Sequence, residues 1–525
     1  MKINLYYPPL ASQRFEGSNI PINTERNFNP KSALLLLGSS IRKLAADFSL
    51  CCELEIIDMQ TDDKLFLYKT FPYGKRKINC FRHGAYFSDY YGKIKEAEIH
   101  GISSNFTINA HVVGDLIKYI KSVNPSSAVI VGGTDATTRP YYYLNHGADI
   151  VIYGEGEISL YKVIEAIHNG SRLDEIPNVY TKNNLHPIID KNFCLPMDKI
   201  PLYDFSLIKD LYMYKDTGEG PAPEGVELPY ICFETSRGCF NGCSFCTTPI
   251  VKGKYRTMSP TTVEKHLKNF KQNGIKTILF QEDNILSRLV SFESSSKVNQ
   301  EGRNEVLEIF GLLKKYGFAW EFANGVEIGK LLVDSIPDYE LIDALFWNNK
   351  EDGVHQGCYR VQIPIESFEE NATKKFNKLI DFNKQIDIYK EILRAGITYQ
   401  TYNFLIGYPS DTLESFENYR MKCEYLKDEL YKINTNYHPY FNVFNLILLP
   451  GTQDFKRYQD MLQFDIDEYP EVFGFNLPAL DTEHFKHYEL FVHRNRLNNI
   501  LNEHMVTVYD KTYNNLQEMY KEFEL

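Results

Sequence analysis

Six short apolar runs alternate with helical stretches through the second half of the chain, and this alternation restricts the possible fold more than any other feature. The runs cover residues 230–235, 277–281, 319–323, 359–364, 399–406 and 442–448. Helical spacing of apolar residues falls at 260–273, 303–315, 382–395 and 412–429. Strands separated by helices pair in parallel, because a parallel neighbour needs a crossover long enough to bring the chain back. Repeated units of this kind predict a parallel β/α barrel, here a partial (β/α)6 barrel. Any chemistry then belongs at the carboxyl ends of the strands.

The first third follows the same logic in a different arrangement. Strands are expected at 3–6, 54–57, 98–103, 128–131 and 150–152, with helices at 30–50 and 111–122. This is the pattern of a Rossmann-like, doubly wound parallel sheet, so the chain is read as α/β throughout. Two glycine turns follow strands directly, Gly132-Gly133-Thr134 and Gly154-Glu155-Gly156-Glu157. Open α/β sheets bind ligands beyond the carboxyl ends of their strands, which makes both turns candidate contacts. Tight-turn chemistry alone would account for them equally well. The Pro- and Gly-rich segment Asp216-Thr217-Gly218-Glu219-Gly220-Pro221-Ala222-Pro223-Glu224-Gly225 reads as a linker or flap. The expected organisation is a doubly wound domain over 1–195, a linker over 196–228, a barrel over 229–455 and a mainly helical region over 456–525. A chain of 525 residues exceeds what one hydrophobic core serves.

The net charge of −12 disfavours nucleic acid as a partner, since phosphate neutralisation dominates such binding. The start of the chain has no signal-peptide core, and the apolar runs are too short to span a bilayer. Ten cysteines, three clustered and the rest scattered, fit a reducing compartment. A cytoplasmic protein without a membrane partner is the expectation.

The clustered three are Cys239, Cys243 and Cys246, in Ser236-Arg237-Gly238-Cys239-Phe240-Asn241-Gly242-Cys243-Ser244-Phe245-Cys246. Three thiolates on one short loop can hold three irons of a [4Fe–4S] cluster and leave the fourth iron open. Ferredoxins close the cubane with a fourth cysteine at a different spacing. A structural zinc would need a fourth ligand, for which Cys232 and His266 are the nearest candidates. Neither completes a paired knuckle.

The loop stands at the end of the first barrel strand, and there the chain resembles the radical S-adenosylmethionine (SAM) enzymes. Their signature is C-x3-C-x2-C with an aromatic before the last cysteine. Residues 1 to about 455 resemble more narrowly the subgroup with an N-terminal cobalamin-binding domain. Its motifs are matched in order by Tyr7-Pro8-Pro9, Val131-Gly132-Gly133 and Gly154-Glu155-Gly156-Glu157, followed by the cysteine loop. Gln281-Glu282-Asp283-Asn284, Ile365-Glu366-Ser367, Asn377-Lys378, Ile406-Gly407-Tyr408-Pro409 with Thr412, and Leu449-Pro450-Gly451-Thr452 complete the series. Phe240 stands where the family often has proline.

The resemblance implies a [4Fe–4S] cluster on the three cysteines, with SAM chelated at its open iron. One-electron reduction then cleaves SAM to a 5′-deoxyadenosyl radical. A flavodoxin- or ferredoxin-type partner would deliver the electron. It places Phe245 near the adenine, Glu282 or Asp283 near the methionine amino group, and Glu366 or Ser367 near the methionine or ribose. The backbone of Gly407-Tyr408-Pro409 would approach the adenine. Each carboxylate could instead satisfy a helix N-terminus at a strand end. For cobalamin the implied contacts are Ser103 and Ser104, Gly132, Gly133 and Thr134, and Gly154 and Glu155. The D-x-H-x-x-G motif that supplies a lower axial histidine in many cobalamin proteins is missing, because His83, His100 and His146 lack the aspartate two residues earlier. The subgroup often lacks it too.

The implied function is a cobalamin-dependent methyltransferase acting on an unactivated carbon of a natural product or peptide, one domain making the radical and the other presenting the methyl group. Two alternatives stay open. One is radical chemistry without methylation, such as ring contraction, cyclisation or epimerisation. The other is a non-catalytic iron–sulfur sensor or scaffold.

Overall fold

The computed structural model describes residues 1–22, 32–48, 50–214, 222–291, 298–369, 376, 378 and 381–503. The flap or linker expected at 216–225 lies outside them up to residue 221, and the expected tail lies outside them beyond residue 503. The chain forms two units. The first comprises Met1–Asp210, Phe245–Lys254 and Ile447–Ala479; the second comprises Leu211–Ser244, Tyr255–Leu446 and Leu480–Leu525.

The strands of the first unit are β1 (Lys2–Tyr7), β2 (Leu10–Phe15), β3 (Glu53–Asp58), β4 (Leu65–Tyr73), β5 (Arg76–His83), β6 (Ile99–Ser103), β7 (Ala128–Gly132), β8 (Ile150–Ile152) and β9 (Val179–Thr181). Its longer helices are α1 (Ser32–Asp47), α2 (Ala110–Val123) and α3 (Gly156–Asn169). The main sheet runs β3-β1-β6-β7-β8-β9, parallel except for the last pair. Strand order therefore reverses between β1 and β6, the arrangement in which a doubly wound sheet opens a ligand crevice at its carboxyl edge. Leu5, Ile99, Val129, Val131 and Val151 are wholly buried, as strands covered on both faces require. Helix α2 turns Val112, Val113, Leu116, Ile117 and Ile120 into that core.

An antiparallel sheet, β2-β5-β4, interrupts the alternation and has no counterpart in the strands expected from sequence. Its residues are aromatic and basic in mixture, so it lacks a clean apolar period. Only one face is buried, with Ile78 and Cys80 fully inside. The segment Ile447–Ala479 belongs to this unit as well. Glu471, 0% exposed, accepts from Tyr68 Oη at 2.8 Å and pairs with His111 Nδ1 at 2.6 Å. Tyr73 Oη donates to Pro478 O at 3.0 Å. Within the stretch expected to be helical, residues 462–486 form little regular structure beyond a single 3-10 turn at Pro470–Val472.

The second unit contains β10 (Tyr230–Phe233), β11 (Thr277–Phe280), β12 (Ala319–Phe322), β13 (Asn348–Glu351), β14 (Val354–Glu366), β15 (Tyr399–Ile406) and β16 (His438–Asn445). Helices α4 (Pro260–Gln272), α5 (Gln300–Tyr316), α6 (Phe382–Arg394), α7 (Leu413–Tyr431) and α8 (His487–Leu501) accompany them. Six strands pair in parallel and in chain order, β10-β11-β12-β14-β15-β16. Each strand lies beside its predecessor, as in a β/α barrel segment. Strand β13 adds antiparallel to β14 through a turn at Asp352-Gly353, both at positive φ. Helix starts are capped by side chains: Ser259 on Thr262 N, Asn299 on Gly302 N and Thr412 on Ser415 N.

His100 sits inside β6 with 0% exposure. Asn4 Nδ2 donates to Tyr6 Oη at 3.0 Å, and that hydroxyl lies 3.0 Å from His100 Nδ1. Burial, with the Lys121 charge adding to it, holds the imidazole down at about 4 from its ordinary 6.5. The unfolded chain then binds the extra proton between those values. This group's contribution to stability is therefore present above pH 6.5 and is lost as pH falls towards 4, by up to about 1.4 kcal/mol per pH unit. Urea unfolding at pH 7 and pH 5 should show a smaller loss in a His100→Gln variant than in the wild type. Equal losses would contradict the assignment.

Candidate functional site

Strand β10 ends at Phe233, and the chain runs through Thr235 and Ser236 into the cysteine loop. Its stem is gripped by carboxylates from the end of the neighbouring strand β11. Glu282, 3% exposed, accepts from Thr235 N at 2.7 Å and Thr235 Oγ1 at 2.6 Å through one oxygen, and from Ser236 Oγ through the other. Burial pushes its carboxyl up, opposed by the nearby Arg288 and by these donors. Arg288 itself donates to Thr235 O at 2.7 Å and to Met258 O at 3.1 Å. Asp283 Oδ2 accepts from Gly238 N at 2.8 Å. Gly238 lies at φ 90°, a conformation that glycine adopts without the Cβ clash.

Donors point at the cysteine sulfurs. Asn241 N at 3.5 Å, Asn284 Nδ2 at 3.8 Å and Ser287 Oγ at 4.0 Å face Cys239 Sγ. Thr248 N lies 3.4 Å from Cys246 Sγ. At Cys243 the direction is reversed, its thiol donating to Phe376 O at 3.6 Å. All three cysteines are half-buried. N–H and O–H groups turned towards sulfur favour thiolates, which is what an iron–sulfur cluster requires of its ligands. Among the described residues no three His, Cys, Asp or Glu groups converge on a single ion. A cubane asks for no such convergence, since each thiolate takes a different iron. The candidate extra zinc ligands are core residues: Cys232 is 2% exposed within β10, and His266 is 0% exposed on α4, against Phe233 and Phe270.

The other expected residues divide between open and occupied positions. Glu366 ends β14 at φ 64°, a left-handed conformation costly for a non-glycine residue, and Lys378 Nζ donates to it at 2.6 Å. The Glu366 carboxylate helps keep the buried Lys378 ammonium charged, against burial. Ser367, by contrast, is 2% exposed, with its hydroxyl 2.8 Å from Tyr419 Oη and accepting from Glu369 N. It packs under α7. Gly407 N and Tyr408 N both donate to Asp411 Oδ2, at 2.7 and 3.1 Å. Tyr408 O in turn accepts from Asp411 N at 2.9 Å. The Tyr408 ring is buried and packs 6.0 Å from Phe376. Phe245 is half-buried, in the segment Phe245–Lys254.

In the first unit the expected loops come together at the carboxyl ends of β6, β7 and β8. Ser103 is in register with Gly132, and Ser104 N donates to Gly132 O at 2.7 Å. Gly133 lies at φ 116°, and a Cβ there would sit 2.5 Å from Ser104 O. Thr134 N donates to Asn105 Oδ1 at 3.3 Å. Thr137 Oγ1 donates to Gly133 O at 2.8 Å and accepts from Gly154 N at 2.9 Å, tying the third loop to the second. Glu155 is the residue before α3. Beneath them lies a buried network that sequence reasoning missed: Asp135 accepts from Thr107 Oγ1 at 2.6 Å and from Tyr143 Oη, which is 2.7 Å from Ser104 Oγ. Tyr153 Oη to Ile250 O and Lys191 Nζ to Pro249 O, each 2.9 Å, hold the segment after Cys246.

An α/β protein with a three-cysteine loop leaving the first strand of a sequential parallel sheet is the class that these features define. Residues 233–422 match the radical SAM superfamily, so the chain carries a radical SAM domain. An uncharacterized methyltransferase of Pyrococcus horikoshii is 27% identical over 345 residues, 63% of this chain and 65% of the relative. The hopanoid C-3 methylase of Methylococcus capsulatus is 29% identical over 243 residues, 43% of this chain and 44% of the relative. The chain thus spans about two-thirds or less of these curated relatives. Among solved structures, the radical SAM methyltransferase TsrM of Kitasatospora setae, with cobalamin and a [4Fe-4S] cluster bound, has a TM-score of 0.54 at 15% identity. The alignment covers 86% of this chain and 76% of TsrM, a likeness of fold. Among the described residues no helix is long and apolar enough to cross a membrane.

Removing the Glu282 carboxylate strands three buried donors. Glu282→Ala should cost about 2–5 kcal/mol in chemical denaturation of the cofactor-free protein. A variant as stable as wild type, impaired only in SAM binding, would instead make Glu282 a ligand.

Proposed function

We propose that the chain is a cobalamin-dependent radical SAM methyltransferase that methylates an unactivated carbon of a small natural product or peptide. One observation carries the reading above the others: the cysteine loop leaves the first strand of the radical SAM domain with donors turned onto Cys239 and Cys246. When bound, a [4Fe–4S] cluster on Cys239, Cys243 and Cys246 supplies an open iron and an electron to cleave SAM, and cobalamin supplies a transferable methyl group. The names of the relatives favour methylation.

The chain's own residues bind and orient. Asp283 holds the loop stem through Gly238 N and is the carboxylate suited to the methionine amino group, because Glu282 is committed to Thr235 and Ser236. Glu366, held by Lys378, is favoured over Ser367, whose hydroxyl is spent on Tyr419 and Glu369. Phe245 and the backbone of Gly407 and Tyr408 serve the adenine, with the Gly407 carbonyl favoured because Tyr408 O accepts from Asp411 N. Ser103, Gly132, Gly133, Thr134, Gly154 and Glu155 form a cobalamin cradle, for which the tight approach of Gly133 to Ser104 and the strand-order reversal at β1 and β6 speak; Ser104, 1% exposed with its hydroxyl on Tyr143, supports it from beneath. A flavodoxin- or ferredoxin-type protein is the electron donor in this scheme.

Anaerobic reconstitution with iron, sulfide, cobalamin, reductant and SAM tests it. The wild type should form 5′-deoxyadenosine, and S-adenosylhomocysteine only when cobalamin is present. Cys243→Ala should form neither. Deoxyadenosine with no S-adenosylhomocysteine even when cobalamin is present would favour the non-methylating chemistry, and absence of both products would favour a sensor or scaffold.

A further inference from the structure

Glu327 belongs to none of the motifs discussed so far, yet it organises one side of the cysteine loop. It follows β12 and is 9% exposed. Its Oε2 accepts two amide donors at once, Asn241 Nδ2 and Asn284 Nδ2, each at 2.8 Å. Asn241 lies between Cys239 and Cys243 and is 6% exposed; Asn284 follows β11 and is 5% exposed. Which end of the Asn284 amide is oxygen and which nitrogen is settled by a neighbouring N–H. Asn284 Oδ1 accepts from Leu286 N at 3.2 Å, so its NH2 group must face the opposite way. One N–H then meets Glu327 Oε2, and the other is left for Cys239 Sγ at 3.8 Å.

We infer that Asn284 is an N–H···S donor to the Cys239 thiolate of the bound cluster, and that Glu327 is the positioning residue that aims it. The inference rests on the proposed cluster. Hydrogen bonds to cluster sulfurs are among the determinants of reduction potential, because they withdraw charge from the thiolate and favour the reduced state. Glu327 therefore acts at a distance from the iron, through the amide it orients. The same oxygen fixes Asn241, whose backbone N–H also faces Cys239 Sγ, at 3.5 Å.

The test uses the full chain reconstituted with iron and sulfide, read by resonance Raman in H2O and D2O and by the midpoint potential of the cluster. Asn284→Leu should lose part of the deuterium shift of the Fe–S(Cys) bands and move the potential to more negative values. The paired swap Asn284→Asp with Glu327→Gln guards against misfolding. It keeps net charge, size and a hydrogen bond between the two positions, with the new amide donating to the new carboxylate, leaves an acceptor for Leu286 N, and removes the donor to Cys239. It should reproduce the Asn284→Leu spectra. Glu327→Gln alone keeps an acceptor and should keep the wild-type deuterium shift, whereas Glu327→Leu should lose at least the part lost in Asn284→Leu. Wild-type deuterium shift and potential in both Asn284 variants would overturn the donor role. An intact deuterium shift in Glu327→Leu would overturn the positioning role. Failure of the wild type to assemble any cluster would remove the proposed function itself, a result distinct from either.

Discussion

The grip of Glu282 and Asp283 on the residues just after β10 is the interaction on which the rest of the second unit's site depends. A strand end must release the chain into a loop without leaving its N–H groups buried and unpaired, and here the next strand supplies the acceptors. Glu282 takes the inward position and Asp283 the loop-facing one, the alternation of a strand carried past its end. Arg288 closes the arrangement on Thr235 and offsets part of the cost of burying Glu282. The loop that carries the cysteines thus leaves a stem whose Thr235 and Gly238 N–H groups are paired with the neighbouring strand's end.

The first unit reaches a comparable end by another route. Its loops are drawn together by backbone contact that only glycine permits at position 133, and by the Asp135, Thr107, Tyr143 and Ser104 network below. Polar groups buried at such a turn are tolerated because each is paired with another. The result is three loops held in contact at the carboxyl ends of β6, β7 and β8.

Most strands were legible because apolar runs of three to eight residues between turn signals leave few alternatives, and residues 150–152 and 399–406 match their strands to the residue. Two departures have physical causes. The last strand is β16 at His438–Asn445, several residues earlier than the run at 442–448, because Leu446 and Leu448 are buried by packing after the strand has ended. The β2-β5-β4 sheet was missed because its one buried face is written in mixed aromatic and basic residues. At the site, the cysteines and the carboxylates after β11 and β14 could be named. Which of Glu282 and Asp283 faces the loop could not, since adjacent residues differ only in the face they take. Glu327 and Asp411 carry no motif; their roles arise from donors that converge on them from elsewhere in the chain, Asn241 and Asn284 for one and a tight turn for the other.

The claim at the centre of the account is that Cys239, Cys243 and Cys246 hold a cubane with one iron reserved for SAM. Mössbauer spectroscopy of the chain reconstituted with 57Fe tests it most directly. Addition of SAM should change the isomer shift and quadrupole splitting of one iron site and leave the others in place. A spectrum unaltered by SAM, or a loop that takes up zinc and no iron–sulfur cluster, would contradict the account.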